Sequence, residues 1–70
     1  MITNDDKINV VNQHIHNVDL NTYNLELTVI EENAKASPSQ SLLNSLQAQL
    51  TDFAAQKTLL EAELASLQGE

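Results

Sequence analysis

The chain has no cysteine and no tryptophan, one glycine, one proline and only two aromatic residues, Tyr23 and Phe53. Each absence excludes something. Without thiols there is no disulfide scaffold, no thiolate zinc site and no cysteine nucleophile. One glycine and one proline in 70 residues cannot supply the turn every ten or so residues that a sandwich or barrel needs. Basic residues are scarce too: three Lys or Arg stand against ten Asp or Glu, a formal charge of −7. A surface of that sign repels a phosphate backbone and an anionic membrane, so neither nucleic acid nor membrane is an expected partner. No stretch approaches the roughly 20 apolar residues of a membrane span. The opening Met-Ile-Thr-Asn-Asp-Asp carries acids where a signal peptide carries Lys or Arg. The expected location is therefore the cytoplasm or a virion, without secretion by a signal peptide.

What is present is helical periodicity with one interruption, Ala36-Ser37-Pro38-Ser39-Gln40. Ser37 suits a helix N-cap, and Pro38 suits a first helical position because it has no N–H to leave unpaired. Gln40, three residues after Ser37, can return a hydrogen bond as in a capping box. Beyond this start, Leu43, Leu46, Leu50, Phe53, Lys57, Leu60, Leu64 and Leu67 recur at alternating steps of three and four. Ala, Gln, Glu, Ser and Thr fill most of the gaps, and Gly69 stands where a helix ends. A helix over about 38–68 follows.

The first arm reads two ways. Its β-branched residues and many Asn lower helix propensity, and Leu25, Leu27 and Val29 alternate like a half-buried strand. However, Ile8, Val11, Ile15, Val18, Thr22, Leu25 and Val29 keep the three–four step over three heptads, much longer than the alternation. Thr3 or Asn4 can cap such a helix, and Asp5 and Asp6 suit its positive end. Period outweighs propensity, and a helix over about 4–34 is expected, with the turn at about 35–38.

Folding the arms back on one another provides a cross-check. In a single antiparallel register Val29 meets Leu46, Leu25 meets Leu50, Thr22 meets Phe53 and Val18 meets Lys57. Further out, Ile15 meets Leu60, Val11 meets Leu64 and Ile8 meets Leu67. The Lys57 stem can lie along Val18 with its ammonium at the edge. The predicted fold is all-α: an antiparallel two-helix hairpin, a coiled coil forming one domain over 1–70.

Such a hairpin buries one stripe per helix, and chains this small usually need a staple, a metal or a partner. The first arm carries a second apolar stripe, Leu20, Tyr23, Leu27 and Ile30, roughly opposite the seam at about 100° per residue. Leu42 and Leu59 add smaller apolar spots on the other arm. The hairpin's own second helix cannot cover the stripe, so a homo-oligomer, a larger helical bundle or docking on a larger protein assembly is expected.

Residues with chemical potential are few. On a strand His14-Ile15-His16 would point both imidazoles to one side, and three chains could surround one ion. That arrangement resembles the His-x-His iron site of trimeric phage spikes and needles. On a helix the pair lies roughly 200° apart and cannot chelate, so no metal and no other cofactor is expected. Ser and Thr lack a His–Asp context, and Glu31-Glu32 and Glu61-x-Glu63 read as solvated faces. No enzyme is expected.

The string Tyr23-Asn24-Leu25-Glu26-Leu27, then Ile30-Glu31-Glu32-Asn33-Ala34 and a Ser-Pro break into a Leu/Ala/Gln/Glu heptad, resembles small coiled-coil proteins of tailed phages, cyanophages among them. The resemblance implies a virion or infected-cell role, as a small accessory structural protein. It transfers no functional residue. The expected function is a non-catalytic structural or protein-interaction module. One alternative is an acidic inhibitor or regulator of a basic, nucleic-acid-binding partner. Another is a trimeric fibre segment with a His-x-His metal site.

Overall fold

Thr3 starts the first helix, α1 (Asn4–Asn33), by closing a reciprocal pair of hydrogen bonds. Its hydroxyl oxygen accepts from the Asp6 N–H at 3.1 Å, and the Asp6 carboxylate accepts from the Thr3 N–H at 3.0 Å. Two of the orphan donors at the helix start are satisfied in this way, with Asp5 and Asp6 at the positive end of the dipole. The low propensity of the arm is offset by packing: Val11, Ile15, Val18 and Val29 turn their branched side chains away from full exposure. Thr28 satisfies its hydroxyl within the helix, donating to the Asn24 carbonyl at 3.0 Å.

The computed structural model describes residues 1–69, and Glu70, the last residue of the expected 1–70 domain, lies outside the described residues. The second helix, α2 (Gln40–Gln68), runs back along α1 to give a two-helix antiparallel hairpin. It is a rod of 54 × 16 × 14 Å. Its radius of gyration of 16.2 Å compares with about 11 Å for a compact chain of this length. Val18, Leu46 and Leu67 are the buried apolar residues, and they lie on the facing stripes. Half-buried along the same stripes are Ile8, Val11, Ile15, Thr22, Leu25 and Val29 on α1. On α2 they are Leu43, Leu50, Phe53, Lys57, Leu60 and Leu64. Among the described residues no large side chain is wholly removed from solvent, as expected where two helices pack without a third layer. No described helix is long and apolar enough to cross a membrane.

The turn departs from the sequence reading. α1 ends at Asn33, and the N-cap of α2 is Ser39 rather than Ser37, so Pro38 precedes the cap and Gln40 is the first helical residue. The reason is non-local. Ser39 accepts from the Leu42 N–H through its hydroxyl at 3.2 Å, while its own N–H donates to Glu32 Oε1 at 2.8 Å. A cap at Ser37 would have had only the neutral Gln40 amide to take its N–H. At Ser39 a carboxylate does so, and charge-assisted bonds are the stronger kind. Gln40 instead donates to Asn44 at 2.9 Å.

Candidate interaction surface

Glu32 is the one buried charged residue among those described, in contrast to the solvated face that its pairing with Glu31 in the sequence suggests. Both of its oxygens are engaged, Oε1 by the Ser39 N–H at 2.8 Å and Oε2 by the Lys35 ammonium at 2.6 Å. The Lys35 hydrogen bond, then the Ser39 N–H and the charge of Lys35, hold its carboxyl below the usual carboxylate range against the opposing effect of desolvation. A signal for this role was present in the sequence. Continuing the three–four step of α1 from Val29 leads to Glu32, and the expected register sets it at the level of Leu43, which otherwise had no opposite number.

Halfway along the rod, Lys57 Nζ pairs with Asp19 Oδ1 at 2.8 Å, both side chains being substantially exposed. The stem of Lys57 is half-buried in the seam and its ammonium emerges beside α1. Hydrogen bonding to Asp19 and the Asp19 charge raise the ammonium above the usual lysine range, with a smaller contribution from Glu61. On the other flank a shallow groove of about 350 Å³ is lined by His14, Val18, Gln56, Leu59 and Leu60. The ion pair and the groove together set residues 14–19 of α1 level with 56–60 of α2. His14 and His16 are both exposed and, on a helix, project in directions roughly 200° apart. They therefore cannot converge on one ion, and the groove brings His14 against apolar and amide groups rather than an acid or base.

The outer side of α1 is uncovered. Leu20 is 49% exposed, Tyr23 59%, Leu27 36% and Ile30 63%. Their spacing puts all four on one line, about 150° around the helix from the seam. Leu42 and Leu59 on α2 are exposed as well but stand apart from that line. The stripe's own line and one of its flanks carry no charge between Asp6 and Glu31, being completed by Asn9, Val10, Gln13, His16, Asn17 and Asn24, whereas Asp19 and Glu26 border the other flank. Among the described residues of this chain of net charge −7 the carboxylates lie at the helix ends, on the flank of α1 between seam and stripe, or on α2.

No family model, curated protein or solved structure matches the chain.

Proposed function

We propose that the chain is a non-catalytic structural module that works by protein–protein contact, self-associating or docking on a larger assembly through Leu20, Tyr23, Leu27 and Ile30. The exposure of these four residues in one line carries the reading. A buried Leu or Ile is worth about 1.5–3 kcal/mol relative to an exposed one, so the stripe holds a large unused driving force. An accessory part in a virion, as the resemblance to tailed-phage proteins implies, is compatible with a thin rod of this kind. The acidic-regulator alternative draws less support, because the carboxylates are scattered and the stripe itself is apolar. The fibre alternative needs a β-structured first arm, whereas Asn4–Asn33 is helix.

The test is the double variant Leu27→Ser/Ile30→Ser against the control pair Gln47→Ser/Gln56→Ser. The native chain should bind an apolar dye or associate as concentration rises, with a melting temperature that climbs accordingly. The stripe variant should lose dye binding, association and concentration dependence while keeping its helices, and the control should keep all of them. A stripe variant indistinguishable from the native chain in dye binding, mass and melting would show the stripe to be ordinary surface.

A further inference from the structure

Resting on that reading, we infer that the stripe is covered by a second copy of this chain, with the two α1 helices antiparallel about a two-fold axis near residue 25. Area is the first consideration. The chain exposes 5117 Å², against about 4,300 Å² for a compact monomer of its 7.7 kDa. The surplus is close to the roughly 800 Å² that each partner contributes to a standard interface.

Spacing is the second. A two-fold interface sets the same patch against itself, so the patch must be self-complementary. Run antiparallel, the stripe closes in one register: Leu20 lies against Ile30 of the second copy and Tyr23 against Leu27, each pair occurring twice. Sliding one heptad toward the N-terminus sets Leu27 against His16 and Ile30 against Gln13. Sliding one heptad the other way sets Leu20 against Ser37 and Tyr23 against Ala34. Only the first choice gives every apolar residue of the stripe an apolar partner.

Charge is the third. Two chains of −7 repel one another, and association requires a face from which the carboxylates have been cleared. The line of the stripe and one flank of it are such a place from Asn9 to Ile30, with Asp19 and Glu26 confined to the other flank. In the chosen register the two copies of Asn24 meet on one flank of the axis, where amides can pair. On the other flank the two copies of Glu26, exposed in the single hairpin, face each other as the one close like-charge contact. The dimer therefore tightens as salt rises, opposite to a complex held by ion pairs. Because the axis lies toward the turn, the hairpins overlap by only about 33 Å at 1.5 Å per residue, and the four helices form a slab about 75 Å long.

A single spin label at Gln13→Cys, on the same face but outside the stripe, tests this directly in sedimentation and distance measurements on the full chain. The expected result is a mass twice 7.7 kDa at hundreds of micromolar, with a label-to-label distance of about 37 Å. The dissociation constant should fall several-fold between about 20 mM and 500 mM salt, and Glu26→Gln should abolish most of that salt effect. A dimer with labels about 10 Å apart would mean parallel helices and overturn the geometry. A trimer, a tetramer, or a monomer at these concentrations would overturn the second-copy assignment. Apolar dye bound by such a monomer and lost in Leu27→Ser/Ile30→Ser would leave the interaction-module reading standing, so the two failures are distinguishable.

Discussion

Truncating Leu46 to Ala should reveal how little the hairpin holds in reserve. Leu46 is 4% exposed, the most hidden apolar side chain described. The change removes three carbons at about 0.8 kcal/mol each, and with water free to enter the gap from the open sides of a two-helix seam little cavity cost is added, giving about 2–3 kcal/mol. A 70-residue domain is stable by only about 3.5–10 kcal/mol in all. The loss is therefore a large share of the total, and the melting temperature should fall by about 10–20 °C. Circular dichroism at 222 nm, on protein dilute enough to be monomeric, reads it. Leu59→Ala is the matched comparison: the same atoms leave from a residue 72% exposed, so the cost should stay below about 0.5 kcal/mol. Equal shifts for the two variants would refute the assignment of the packed face, since identical chemistry would then be insensitive to which side of α2 it occupies.

Two further outcomes follow from the charged groups. The carboxyl of Glu32 is held below its usual range in the folded chain, so its contribution is complete above the ordinary carboxylate range and is lost as pH falls through the lowered value. Glu32→Gln should flatten that acid limb in pH-dependent melting, and an unchanged acid limb would show that the bonds to Ser39 and Lys35 do not stabilise the turn. Lys57 has the opposite sign: with its ammonium raised above the usual lysine range, the Asp19 pair contributes at neutral pH and is lost only as pH rises through that raised value. Because both side chains are exposed, the pair itself matters little, and Lys57→Leu should raise the melting temperature while Lys57→Ala, which loses the packed stem, lowers it. A drop for Lys57→Leu with the association state unchanged would contradict the seam position.

Fold class was legible because both arms keep one period over several turns and because a single register pairs their apolar positions. Thr3 could be read as a cap from residue types alone, since its partner Asp6 lies three residues away. The start of α2 could not be read in this way. Ser37 and Ser39 flank Pro38 alike, and the choice between them is made by Glu32, seven residues back in the chain and on the other helix. Local rules favoured a capping box, and a carboxylate from outside the box displaced it. The apolar stripe was equally plain, since Leu20, Tyr23, Leu27 and Ile30 form a second line on the side of α1 away from the seam. What covers it is a property of two molecules, and one chain's periodicity describes only the half it contributes.

The return of α2 along α1 brings residues 1–3 and Gly69 to the same end of a rod 54 Å long. Mechanically this makes the hairpin strong in one direction and weak in the other. A pull applied between the two chain ends acts across the rod, and it peels the seam from Ile8 and Leu67 inward, loading one layer at a time. A pull between one chain end and the turn acts along the rod and loads a single helix lengthwise, whose backbone hydrogen bonds and packed seam resist extension together. Whatever is joined to both ends is therefore held by a clasp that opens at low force, whereas a neighbour gripping the turn and one end would meet a strut.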